Sequence, residues 1–168
     1  MMKTNLFMLL LLFSLGCSAQ RKVDLYESKF NEEMEALMKG VPEVHKGNLF
    51  DRADMLSYGV SKNTVFYFKD YLPPHVELLS YKGQFVGYAF RMRSFEDQQK
   101  VQSYFKAKYK LVPTDDKARF VTSTRYADDQ ILVEFDAIAK ESFDKGMFGY
   151  VNVRRPDFAA EYERLMQR

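Results

Sequence analysis

The chain has 168 residues, with 25 Lys and Arg against 23 Asp and Glu, and a formal net charge of +2. This near balance argues against a nucleic-acid partner, because proteins that bind polyanions concentrate basic charge on one face. Hydrophobic residues make up 46% of the chain and aromatic residues 15%, which excludes a disordered chain and suits one globular domain.

Residues 1–19 predict a signal peptide. Lys3 provides a short, positively charged N-terminal region. The apolar run at residues 6–15 is too short to cross a bilayer, because a membrane-spanning helix needs about 20 residues. Two cleavage sites compete. Residues 14–17 (SLGC) resemble a bacterial lipobox, in which Cys17 is lipidated and becomes the mature N-terminus, whereas residues 17–19 (CSA) suit ordinary signal peptidase. Both alternatives predict export.

Cys17 is the only cysteine of the chain, so the domain predicted over residues 20–168 can form no internal disulfide. A cysteine nucleophile and a cysteine-ligated zinc site are excluded from that domain for the same reason. We expect a periplasmic or outer-membrane-associated lipoprotein that contacts the membrane only through its lipid anchor. Ordinary cleavage would instead give a secreted soluble protein.

The mature domain is predicted to begin with a helix over residues 23–39, where apolar residues recur at helical spacing and Gly40 and Pro42 follow as stop signals. Residues 43–54 have no clean period and are predicted to form a loop. From Met55 the period changes to two, which indicates strands. Four strands are predicted there, at residues 55–62, 64–72, 75–81 and 84–93.

Within the last of these strands Val86, Tyr88, Phe90 and Met92 are predicted to share the core face. Ser94 then begins a helix with capping-box spacing that extends to about residue 110. A loop at residues 112–117, three strands and a helix that starts at Pro156 follow. The three strands are predicted at residues 119–126, 130–137 and 147–154.

This order of elements predicts an α+β fold. We expect an antiparallel sheet of about six or seven strands with two or three helices packed on one face.

Recognisable catalytic and metal-binding motifs are absent from the sequence. The only histidines, His45 and His75, are 30 residues apart and lack metal-binding spacing, and there is no Gly-rich phosphate loop or G-x-S-x-G motif. We therefore predict no cofactor and no metal. Glu134 and Asp136 project from one predicted strand to the same side, about 7 Å apart, which a glycosidase could use. Outward charges on a half-exposed strand would give the same pattern.

Four arginines form the candidate binding site. Arg91, Arg93, Arg154 and Arg155 lie at the ends of two predicted strands, just before helices. If these strands are neighbours, the arginines would form a basic rim that binds a phosphate or a partner's carboxylate. The alternative is that they pair with nearby acidic residues such as Asp157.

These features predict a noncatalytic exported protein of the cell envelope that binds an envelope protein or an acidic ligand, with no nucleic-acid partner. Two alternatives remain open. One is an extracytoplasmic hydrolase that uses carboxylates such as Glu134 and Asp136, and the other is a structural or assembly subunit of an envelope complex.

Overall fold

A computed structural model describes residues 21–113 and 121–167. The predicted signal peptide, with Cys17, lies outside the described residues, as does most of the predicted loop at residues 112–117. The elements in chain order are β1 (Val23–Asp24), α1 (Met34–Met38), β2 (Val44–Asn48), β3 (Met55–Ser61), β4 (Phe66–Tyr67), β5 (His75–Tyr81), β6 (Gln84–Met92), α2 (Phe95–Lys108), β7 (Lys110–Val112), β8 (Thr122–Ala127), β9 (Leu132–Ala137), α3 (Lys140–Phe143), β10 (Gly149–Arg154) and α4 (Pro156–Met166).

Eight strands form one antiparallel sheet in the order β2-β3-β5-β6-β10-β9-β8-β7. The predicted α+β fold with an antiparallel sheet is therefore confirmed, and the sheet is one strand larger than expected. At its centre β6 pairs with β10, although two helices, α2 and α3, and three strands separate them along the chain. β1 and β4 form a separate parallel pair.

One side of the sheet, which we call the core face, carries most of the hydrophobic core. Alternate residues such as Phe90, Phe135 and Val151 point to this side and are at most 2% exposed. α2 covers them with Val101 and Phe105, and the rings of Phe105 and Phe135 lie 6.3 Å apart. The expected cap of α2 is present, because the Ser94 hydroxyl accepts a hydrogen bond from the Asp97 amide.

α4 packs on the opposite side of the sheet from α2, and a β-bulge in β6 supplies one of the residues that α4 covers. Gly87 pairs with Leu79 and Phe85 with Ser80, so Val86 is the extra residue. Phe85 therefore joins the core face, while Val86 packs on the other side with Leu79 and with Phe158 of α4. The prediction that Val86 shares the face of Tyr88 is wrong because the bulge inverts the alternation. Helices therefore cover both sides of the sheet, whereas the sequence led us to expect them on one face.

The helix predicted over residues 23–39 is also wrong. Val23 instead pairs with Phe66, and the Asp24 carboxylate accepts from the amides of Tyr26 and Lys69, both at 3.0 Å. These tertiary contacts hold the segment out of a helix, and only α1 is α-helical. The apolar residues at helical spacing still reach the core, because the segment is attached to the hairpin of β5 and β6 by a backbone hydrogen bond from Phe85 to Glu32.

Two further predictions, the strand at residues 64–72 and the loop at residues 43–54, are also wrong in part. The strand predicted at residues 64–72 is mostly a loop. The buried side chain of Asn63 holds this loop through four hydrogen bonds to the backbone, and it donates two of them, each 2.7 Å long, to the carbonyl oxygens of Phe66 and Pro73. The loop predicted at residues 43–54 contains the edge strand β2. Such an edge strand is half exposed, so it leaves little apolar pattern in the sequence.

Candidate functional site

The side of the sheet opposite the core face is polar beyond the part that α4 covers. We call this polar surface the open face, and it consists of two adjacent rows of side chains across the strands. The first row contains Ser61, His75, Arg91, Tyr150, Asp136 and Ser123. The second row contains His45, Gly59, Glu77, Ala89, Asn152, Glu134 and Arg125. All of these residues are exposed or half-buried, as expected for a sheet face without a covering layer.

The structure separates the four predicted binding arginines into two pairs. β6 and β10 are neighbours, as the rim required, but they run antiparallel, so their C-terminal ends point in opposite directions. Arg91 lies opposite Tyr150, whereas Arg154 lies opposite Gly87, four residues or about 13 Å further along the strands. Arg93 and Arg155 follow at the respective ends. A single rim of four arginines is therefore not formed.

The arginines at the α4 end have structural contacts. Arg154 lies 3.3 Å from a Glu134 oxygen and 4.7 Å from the centre of the Tyr162 ring of α4. Arg155 binds both oxygens of Asp157, at 2.6 and 2.9 Å, and its hydrogen bonds lower the pKa of that carboxyl. For Arg155 the structure therefore shows the alternative interpretation, in which the arginine pairs with a nearby acidic residue.

Arg155 also lines a cleft of about 550 Å³ between the N-terminal segment and the turn that joins β8 to β9. Its guanidinium group donates to the carbonyl oxygen of Phe30 and to the side chain of Gln84, in addition to Asp157. Four of its five N–H donors are therefore already used. This cleft has little remaining capacity to bind an anion through Arg155.

Arg91 differs from these arginines. Its guanidinium carbon lies 5.6 Å from the ring centres of both Phe148 and Tyr150. Within residues 21–113 and 121–167, neither Arg91 nor Arg93 makes an ion pair with a carboxylate. Cation–π contacts of this kind are not hydrogen bonds, so the N–H donors of Arg91 stay available for a bidentate contact to a carboxylate or phosphate.

The backbone at Arg91 is held from the core side. The Tyr71 hydroxyl donates a hydrogen bond of 2.8 Å to the Arg91 carbonyl oxygen. Burial raises the pKa of Tyr71 to about 12, so this hydroxyl keeps its proton at physiological pH and remains a donor. The main chain that carries Arg91 is therefore fixed both by this contact and by the central pairing of β6 with β10.

Glu134 and Asp136, the carboxylates of the hydrolase alternative, have unequal surroundings. Glu134 lies between two arginines, with one oxygen 3.1 Å from Arg125 and the other 3.3 Å from Arg154. Asp136 accepts a hydrogen bond of 2.6 Å from the Ser123 hydroxyl. Since both oxygens of Glu134 already contact guanidinium groups, this arrangement does not present two free carboxylates to a substrate.

His45 and His75, which are 30 residues apart in the sequence, lie on the same face of the sheet. Gly59 pairs with His45, and a Cβ atom at Gly59 would lie 3.5 Å from the His75 ring. This proximity depends on the pairing of three strands and leaves no signal in the sequence. Among the described residues no group of three or more His, Cys, Asp or Glu side chains is arranged to hold a metal ion.

Comparison of the chain with protein-family models, with curated proteins and with solved structures finds no match. In the part of the chain that the structure describes, no helix has the length and apolar character needed to cross a bilayer.

Proposed function

We propose that this protein is a noncatalytic, exported binding protein of the cell envelope, and that the Arg91 end of its open face binds an acidic group on another envelope component. The observation that carries this proposal is the set of groups that surround the Arg91 side chain. Its guanidinium group lies beside two aromatic rings and lacks a carboxylate partner among the described residues, whereas Arg125, Arg154 and Arg155 each have one.

The position of Arg91 suits recognition of a carboxylate or phosphate. A side chain on a central strand is placed more rigidly than one on a loop, and the two neighbouring rings restrict the guanidinium group further. Less conformational entropy is then lost when a ligand binds. A charge-assisted contact of this kind contributes about 1.5–3 kcal/mol, which corresponds to roughly tenfold or more in affinity.

The binding proposal can be tested with two small anions. We expect phosphate and acetate, titrated into isotope-labelled protein, to produce saturable NMR shifts at Arg91, Phe148 and Tyr150. Arg91→Ala should weaken this binding at least tenfold. Arg164→Ala removes the same charge from an exposed position on α4 and should leave the binding within twofold. Equal binding by Arg91→Ala and the wild type would overturn the assignment of Arg91.

The export proposal requires a separate experiment in cells. A bacterial host that expresses the full chain should incorporate labelled palmitate, and a Cys17→Ser variant should not. An unlabelled chain that is cleaved and recovered from the periplasm would select ordinary signal peptidase instead. An uncleaved chain that stays in the cytoplasm would contradict export altogether.

A further inference from the structure

We infer that the acidic ligand of the open face is a saccharide, namely a sugar ring that carries one carboxylate or phosphate. This inference rests on the proposed function and concerns the same site. The key juxtaposition is a row of three residues across neighbouring strands: Tyr150 on β10 lies directly between Arg91 on β6 and Asp136 on β9. Side chains directly opposite each other on paired strands have Cβ atoms about 5 Å apart.

Tyr150 provides an apolar platform in the middle of this row. Tyr150 is 40% exposed, although the residues before and after it in β10, Gly149 and Val151, are buried. Sugar rings have an apolar C–H face that packs on aromatic rings, with hydroxyl groups around the rim of the sugar. An exposed tyrosine ring on a strand therefore offers a surface that fits the size of one sugar.

The two neighbours of Tyr150 have opposite hydrogen-bonding properties. The Arg91 guanidinium group only donates, and an ionised Asp136 carboxylate only accepts. A hydroxyl group does both, so a sugar centred on Tyr150 can satisfy a donor on one side and an acceptor on the other. Asn152, two residues further along the same face, adds an amide that both donates and accepts.

The charges of the open face disfavour a polyanion. Its two rows contain three carboxylates, Glu77, Glu134 and Asp136, against the two guanidinium groups of Arg91 and Arg125. An acidic peptide on Arg91 would bring further negative charges close to Asp136, which costs free energy. A sugar with a single acidic group places its charge on Arg91 and neutral hydroxyls beside Asp136.

The inference is tested by comparing four small probes on the full chain by NMR titration. Methyl glucuronide and glucose 6-phosphate are acidic sugars, methyl glucoside is the neutral ring, and acetate is the carboxylate without a ring. We expect an acidic sugar to bind at least tenfold more tightly than acetate and methyl glucoside. Whether the carboxylate or the phosphate sugar binds more tightly identifies which acidic group the site prefers.

Two substitutions at Tyr150 separate stacking from charge. Tyr150→Ala should reduce the affinity for the acidic sugar to near that for acetate, whereas acetate binding should weaken much less, because Phe148 still lies beside Arg91. Tyr150→Phe keeps the ring and should retain the affinity of the wild type. If acetate binds as tightly as both acidic sugars and Tyr150→Ala has no effect, the saccharide inference is overturned but the proposed function survives. If no probe binds, both are overturned.

Discussion

The two faces of the central sheet share one backbone and differ in almost everything else. Along β10, Val151 and Val153 point to the core face and are 0% exposed, whereas Tyr150 and Asn152 alternate with them on the open face and remain accessible. The difference arises from the covering layer, since α2 packs on the core face and α4 covers only one end of the other. Stability should therefore depend on one face and binding on the other.

The largest loss of stability is expected at the centre of the core face. Phe135→Ala removes a fully buried ring that contacts Phe105, and it should lower the free energy of unfolding by about 3–5 kcal/mol. Urea unfolding measures this change. Asp136→Ala, on the next residue and the opposite face, is the matched control and should cost about 1 kcal/mol or less. Equal losses at the two positions would remove the distinction between the faces.

Two glycines in the sheet should respond differently to an added methyl group. A Cβ atom at Gly87 would lie only 2.4 Å from the Val153 carbonyl oxygen, so Gly87→Ala should cost about 1–3 kcal/mol through overpacking. At Gly59 the nearest atom would be 3.5 Å away, an ordinary contact. Gly59→Ala should be close to neutral or slightly stabilising. Urea midpoints that rank the two variants in the reverse order would contradict the pairing of β6 with β10.

Removal of the charge on Glu134 should have a smaller effect on the free energy of unfolding. Glu134→Gln loses the ion pairs to Arg125 and Arg154 at a partly exposed site, for an expected cost of about 1 kcal/mol. This cost should shrink in high salt, because screening weakens the pairs in the wild type. Glu141→Gln, on an exposed residue of α3, is the control and should leave the free energy of unfolding unchanged. A cost independent of salt would show that packing, and not charge, is lost.

The smallest expected effect is a pH dependence at the start of α4. Hydrogen bonds from Arg155 lower the pKa of Asp157 below its unfolded value, so the stabilisation is present above about pH 4 and is lost as the pH falls through the folded pKa. Wild type should exceed Asp157→Asn in thermal stability at pH 7, and the difference should narrow below pH 4. A difference in thermal stability that grows below pH 4 would contradict the lowered pKa of Asp157.

Local signals predicted the elements whose structure is determined locally. The strands predicted at residues 75–81 and 84–93 match β5 and β6 to within one residue, and the two strands meet at Lys82 and Gly83, which both have positive φ as a two-residue hairpin turn requires. α2 and α4 were likewise marked by Ser94 and Pro156. The N-terminal segment was not predictable, because the parallel pairing of Val23 with Phe66 competes with its helical spacing.

The candidate site shows the same limit. Residue type drew attention to Arg91, Arg93, Arg154 and Arg155, but their separation depends on the antiparallel pairing of β6 with β10. That pairing joins residues about 60 positions apart, and no local pattern encodes its direction. The position of Arg91 beside Phe148 and Tyr150, and the proximity of Asp136 to Tyr150, follow from strand pairing of this kind and were missed for that reason.

The most direct test of the account is whether the open face is accessible in solution. In a Cys17→Ser background, Asn152→Cys and Val151→Cys each introduce one thiol on the same strand, facing opposite sides of the sheet. Maleimide should label Asn152→Cys within about tenfold of the rate for an unfolded peptide, and Val151→Cys at least about 100-fold more slowly, because its reaction requires local opening. Equal protection of both thiols would show that another part of the chain or a second copy covers the open face, and would contradict its role as a binding surface.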